Sequence, residues 1–397
     1  MKRYTKKKKG GEAIDSGGFG CVFSPALKCK NKTKRSNGIS KLSLKQMSDD
    51  EWKTLSDVNK LLSKIPNYKN YFLLNNITTC VPDKLTNKDK INFEKCFSLQ
   101  DAGITENNIN KHLKKLRIIN MPYGGINLDK VIDQYIVNFN TFNKLLFNLL
   151  DKAIIPMNKL NIYHFDIKSS NILFKNSTIK LIDFGEIGIS TSKKVIPDIL
   201  YDRALQFNSP FSRILFSNHI DTLISKFFIR FKVNKKTPIE KIVIIFKEIY
   251  MEFKQLYGVG HEIFLGDYLL PTIFKLISPE ILKKIYNVKH NKIDSKSIII
   301  DWIVNYCSTV IKHYFDFKKM RLDREKYFKE VYSKNVDIYG LSSCYIQYIM
   351  SENQNYSNTF KFEITNIIIK YCFNDKYAAQ PLPIDEIKNE LNAIKLN

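Results

Sequence analysis

Short apolar runs broken by single polar positions mark residues 162–185, which read Ile-Tyr-His-Phe-Asp-Ile-Lys-Ser-Ser-Asn-Ile-Leu-Phe, a polar turn, then Ile-Lys-Leu-Ile-Asp-Phe-Gly. The partly β-branched segments 171–174 and 179–182 around the polar turn 175–178 predict a hairpin. Just upstream, Leu145, Leu146, Leu149, Leu150 and Ile154 follow helical spacing from Thr141, with Pro156 near the end of that helix and Asn161 suited to a left-handed turn. Before this, residues 14–23 read as strand, glycine-rich turn, strand, and 38–42 and 116–121 as further strands. Two more strands are expected at 71–82 and 93–100 around a polar loop. Ser48-Asp-Asp-Glu51 is a capping box and predicts a helix that starts there, with Glu51, Leu55, Val58 and Leu62 on one face.

The later part of the chain has a helical pattern. Thr237-Pro-Ile-Glu240 is a second capping box, followed by a stripe of Ile242, Phe246, Ile249, Phe253 and Leu256, with Gly258 placed to end the helix. That stripe reads as core. Further helices are expected at 297–314, 362–373 and 384–394. A strand-rich first third ahead of a helical remainder predicts an α+β protein.

Composition sets limits on this picture. The 397 residues are 44% hydrophobic and 26% charged, values of a globular chain with ample core. The net charge of +24 comes from lysines spread along the sequence and a dense run at Lys6 to Lys9. Such a surface favours acidic or nucleic-acid-associated partners by electrostatic steering. Seven cysteines form no C-x-x-C pair and no Cys/His ligand cluster, so an intracellular, reducing compartment is expected. The basic start continues into Gly10, Gly11 and Glu12 instead of an apolar run, and no apolar run approaches about 18 residues, so neither secretion nor membrane association is expected.

Folding the hairpin brings Asp166, Lys168 and Asn171 on its entering loop together with Asp183, directly after its second strand. The plain alternative is a polar turn whose Asp and Asn only cap backbone groups. The order H-x-D-x-K-x-x-N, hairpin, D-F-G resembles the catalytic core of the eukaryotic-type protein kinases. By that resemblance Asp166 accepts the proton of the substrate hydroxyl, Lys168 neutralises charge on the transferred phosphoryl group, and Asn171 and Asp183 bind magnesium ions. His164 reads as a packed structural histidine. Phe165 stands where many regulated kinases have an arginine for an activation-loop phosphate.

The resemblance extends in both directions. Residues 14–23 are similar to the nucleotide-covering loop, with Gly17, Gly18, Phe19 and Gly20 at the turn, Val22 against adenine, and Asp15 where the first glycine is usual. Gly38-Ile-Ser-Lys-Leu42 is similar to the V-A-I-K strand, nominating Lys41 for the α- and β-phosphates with Lys45 as competitor and Glu51 as its ion-pair partner. Met121-Pro-Tyr-Gly-Gly125 resembles the hinge, with Pro122 giving its C=O and Gly124 its N–H to adenine. Asp337-Ile-Tyr-Gly-Leu341 resembles the start of the central buried helix. The A-P-E segment and its partner arginine have no clear counterpart; Ser209-Pro-Phe211 is the nearest. The fold implied is the two-lobed protein-kinase fold: a basic arm at 1–10, a β-rich small lobe at 11–121, a hinge at 122–125, and a mainly helical large lobe at 126–397 with a helical insertion at about 211–336.

The activity implied is ATP- and Mg2+-dependent phosphorylation of Ser/Thr hydroxyls in protein substrates. The Gly-Gly-Phe-Gly-Cys-Val-Phe, Met-Pro-Tyr-Gly-Gly and Phe-Asn-Ser-Pro-Phe-Ser segments resemble the divergent kinases of large nucleocytoplasmic DNA viruses, which implies the host cytoplasm or the virion as location. A pseudokinase scaffold and a basic nucleic-acid-associated virion protein are the alternatives.

Overall fold

A computed structural model describes residues 11–17, 20–276 and 294–395. The basic arm, Gly18 and Phe19 of the glycine-rich turn, and part of the 211–336 stretch lie outside the described residues. The chain is a mixed α+β protein and divides into two compact units, the first ending at Gly125 and the second beginning at Ile126.

The first unit is built on an antiparallel sheet in the order β1-β2-β3-β5-β4, with β1 Glu12–Gly17, β2 Gly20–Ser24, β3 Ile39–Leu44, β4 Thr78–Cys80 and β5 Leu116–Met121. Its buried face gathers Ala13, Phe23, Leu42, Leu116 and Ile118 against Phe93 and Leu99. The segment expected as a strand at 93–100 is instead a 3-10 turn, Phe93–Lys95, followed by a short helix, Phe97–Asp101. Phe93, Cys96 and Leu99 are all buried, and their spacing of three matches one face of a helix, not of a strand. Of the strand expected at 71–82 only Thr78–Cys80 forms a strand, with Pro82 in an isolated bridge to Cys29.

Helix α1, Lys45–Leu62, begins three residues before the expected capping box. Ser48 does not cap it. Its hydroxyl is buried and hydrogen-bonded to that of Ser43, so the residue fastens the helix to β3.

Four of the seven cysteines are paired, Cys21 with Cys96 (Cα–Cα 5.1 Å) and Cys29 with Cys80 (5.8 Å). Cys307, Cys344 and Cys372 are free and buried. Asn120 on β5 is buried beneath the second bond, donating from Nδ2 to both its sulfurs and accepting from Ser40 Oγ at 2.6 Å. Disulfides persist in oxidising settings, so these bonds run against the expected reducing compartment. Spacing could not reveal them, because partners 75 and 51 residues apart meet only once the sheet has formed.

In the second unit the predicted hairpin forms from Ile172–Lys175 and Thr178–Leu181, closed by Asn176 and Ser177, both with left-handed φ. Two consecutive positive φ values match the twist of a two-residue hairpin turn. The helix before it starts at Phe139, where Asn138 caps the amide of Thr141. It continues through a π turn, Leu150–Ile154, into Ile155–Lys159, and Asn161 takes the expected left-handed φ of 59°.

The described residues of the 211–336 stretch contribute to this unit's core. Its described helices include Asn218–Arg230, Ile239–Tyr257 and Ser295–Tyr314. Ile242, Phe246, Ile249 and Phe253 are buried as expected, while Leu256, in the last turn before Gly258, is exposed. Thr237 does not cap its helix; its hydroxyl accepts from Asn234 N. Phe211 and Trp302 both stack on Phe373 near the far end of the chain. Among the described residues no helix is long and apolar enough to cross a membrane.

Candidate functional site

The base of the site in the second unit is Asp337, 1% exposed on the buried helix Ser333–Ser343. Its Oδ2 accepts from His164 N at 3.0 Å and from Asn158 Nδ2 at 2.7 Å, and its Oδ1 accepts from Phe165 N at 3.0 Å. Burial pushes this carboxyl's pKa up; these donors pull against that rise. A carboxylate that satisfies two successive amides fixes the backbone that carries the next residue, Asp166. Phe165 is held at a φ of +61°, a conformation a bulky residue adopts only under tertiary constraint. Its ring is buried and stacked on Tyr163.

His164 is fully buried, as a structural histidine should be. Its Nδ1 accepts from Asp166 N at 3.3 Å, so the ring's proton sits on Nε2, which faces Ile182 O at 3.0 Å. One imidazole therefore joins the loop to the end of the second hairpin strand.

Asp166 is 8% exposed and surrounded by donors. Lys168 Nζ reaches Oδ1 at 3.1 Å and Oδ2 at 2.9 Å, Asn171 Nδ2 donates to Oδ2 at 2.9 Å, and Asn208 Nδ2 donates to Oδ1 at 2.8 Å. Charge-assisted bonds of this kind hold a carboxylate in one orientation. Asn171 also donates to Asp166 O at 2.9 Å. With its amide hydrogens spent on Asp166, its Oδ1 remains as a hard oxygen donor. Ile182 N donates to Asn171 O at 2.9 Å, which brings the adjoining Asp183 to the same end of the hairpin. Asp183 is exposed, has a φ of +62°, and accepts from Gly185 N at 3.4 Å.

Among the described residues no group of three or more His, Cys, Asp and Glu forms a protein-only metal cage. One carboxylate and one carboxamide fit magnesium, which takes few protein ligands and completes its shell with water and phosphate oxygens.

In the first unit Lys41 Nζ lies 2.9 Å from both carboxylate oxygens of Glu51, and its strand places it opposite Val22. Lys45 is exposed at the first turn of α1. At Gly20 a Cβ would stand 2.9 Å from Leu42 O, so β2 packs this closely against β3 only with glycine there. Gly17 pairs with Gly20, and Asp15 is exposed and accepts from Ser16 N at 2.8 Å. Pro122 is half-buried and Gly124 buried, just after β5. If the chain has the phosphoryl-transfer activity that the resemblance implies, Lys41→Met is expected to abolish it while Lys45→Met leaves it intact, measured as ADP release at saturating Mg-ATP; the reverse result would move the assignment to Lys45.

Sequence reasoning missed four residues. Asn208 reaches Asp166 directly, His261 bonds Phe207 beside Asn208, and Glu186 forms an ion pair with Arg213 at 2.7 Å beneath the loop. Asn208 and Arg213 sit inside the Phe207-Asn-Ser-Pro-Phe-Ser-Arg213 segment, whose departure from A-P-E was the one available signal. No family model matches this chain, and no curated protein matches it at a meaningful level of similarity.

Proposed function

We propose that the protein is a serine/threonine protein kinase with the two-lobed kinase fold. The observation that carries this reading is the Asp166 carboxylate, oriented by Lys168, Asn171 and Asn208 in a loop clamped by Asp337. In the reaction the substrate hydroxyl oxygen bonds to the γ-phosphorus of ATP, the bond from that phosphorus to the bridging oxygen breaks to release ADP, and the hydroxyl proton passes to Asp166. Lys168, beside that carboxylate, neutralises charge on the transferred group, and Lys41, held by Glu51, binds the α- and β-phosphates. Asp183 and Asn171 would hold magnesium, which would supply charge neutralisation on the phosphates. Gly17, Gly18, Phe19 and Gly20 cover the phosphates; Val22, Pro122 and Gly124 receive the adenine.

The test is mass spectrometry of phosphosites produced by wild type and by Asp166→Asn in the same extract. Phosphoserine and phosphothreonine sites present only with wild type support the reading, and identical site lists sink it. Of the two locations implied by a viral origin, the virion accords better with the disulfides than the host cytoplasm does. The charge of +24 favours a second role in nucleic-acid association, which a salt-dependent DNA titration checks by a steep fall in affinity with ionic strength.

A further inference from the structure

Asn208 is 1% exposed. Its Nδ2 donates to Asp166 Oδ1 at 2.8 Å and to Ile167 O at 3.1 Å, so both amide hydrogens are spent on the loop that carries Asp166. Its own Oδ1 is buried without a partner. An orphaned buried oxygen costs stability, and a leucine of similar size would carry no such cost. Turning the carboxamide over would bring Oδ1 against the Asp166 carboxylate. The side chain therefore serves Asp166 at the expense of its own satisfaction.

The segment carrying Asn208 is held in turn by the 211–336 stretch. His261 N donates to Leu205 O at 2.9 Å, and Phe207 N donates to His261 Nδ1 at 3.2 Å. The imidazole packs on the Phe207 ring at 5.3 Å, and that ring on Phe264 at 4.9 Å. Gly260, with a φ of +53°, lies so close that a Cβ would stand 2.3 Å from Leu205 O. An accepting Nδ1 requires the neutral ring. Burial first, then the Lys168 cation, push the His261 pKa down, with Asp166 opposing and Arg213 adding to the fall.

We propose that Asn208 is a positioning residue for Asp166 and that His261, through Phe207, holds Asn208 in place, so that the 211–336 stretch belongs to the active-site machinery. The inference rests on Asp166 being the residue that accepts the hydroxyl proton.

Asn208→Leu removes the donor at nearly constant volume. It is expected to lower kcat on the order of 10- to 100-fold, the cost of a slightly misplaced catalytic group, with KM for Mg-ATP unchanged and faster hydrogen exchange in the 164–171 peptide. His261→Phe keeps the ring and loses the acceptor, and is expected to lower kcat about 5-fold, the worth of one hydrogen bond. If the leucine variant does not fold, Asn208→Ala and His261→Phe carry the same test. Wild-type kcat and loop exchange in these variants, or a fall in melting temperature alone, overturns the proposal. Asp166→Asn is assayed alongside. If it matches wild type, the kinase reading fails, and loop exchange in the Asn208 variant then decides whether Asn208 positions the loop.

Discussion

Asp183→Asn and Asp166→Asn are each expected to reduce phosphoryl transfer from Mg-ATP by roughly three powers of ten or more. Phosphoryl transfer leaves a protein little covalent chemistry to perform, so positioning and charge stabilisation are nearly the whole of catalysis. The two variants differ in their effect on stability. Asp183 is exposed and accepts a long bond from Gly185 N, so its replacement should leave the melting temperature unchanged. Asp166 faces Lys168, Asn171 and Asn208, all of them donors. An asparagine there sets an N–H against at least one of them, which costs about 1–3 kcal/mol and leaves the protein folded. Single-turnover transfer of the γ-phosphate, run beside thermal melts, measures both effects. A wild-type rate in Asp183→Asn would remove the magnesium assignment and with it the reading of the hairpin.

The local elements that carry chemistry were legible because they are short-range. The hairpin, its two-residue turn, the left-handed Asn161 and the helix ahead of them are set by residues within about one element of each other. The Lys41–Glu51 pair was legible because both residues belong to adjoining elements, β3 and α1. The register of that helix was not, since Ser48 is drawn into a buried bond with Ser43 that no capping rule anticipates. What stayed hidden has large sequence separation: the two disulfides, the grip of Asp337 on the amides of His164 and Phe165, and the approach of His261 to Phe207. Apolar periodicity reports which face of a helix is buried, and it did so for Ile242 to Phe253, but it does not say against what. The segment 93–100 shows the converse failure, in which an apolar run too short to separate periods of two and three and a half was assigned to the wrong one.

Arg213→Met is expected to lower stability by about 3 kcal/mol, the lower end of the cost of breaking a buried ion pair. The Arg213 side chain is 0% exposed and Glu186, the residue after Asp183-Phe-Gly185, 18%. Its guanidinium donates to Glu186 Oε2 at 2.7 Å, to Gln206 Oε1 at 2.6 Å and to Phe165 O at 3.2 Å. One arginine thus joins the turn that follows Asp183, the loop that presents Asp166 and the segment that presents Asn208. The sequence shows neither the glutamate nor the late arginine that anchor this region in kinases. Under the kinase reading, Glu186 and Arg213 supply both charges from nearer positions, where neither motif would place them. Losing the arginine leaves Glu186 partly compensated by Arg203, 2.7 Å away, which is why the lower figure applies. Removing both charges, as Glu186→Gln with Arg213→Met, leaves no stranded carboxylate and should recover much of the loss. A double-mutant cycle on melting temperature reads the pair directly, with the single arginine change expected to cost roughly 4–5 °C. Melting of Arg213→Met at the wild-type temperature would mean that the pair anchors nothing.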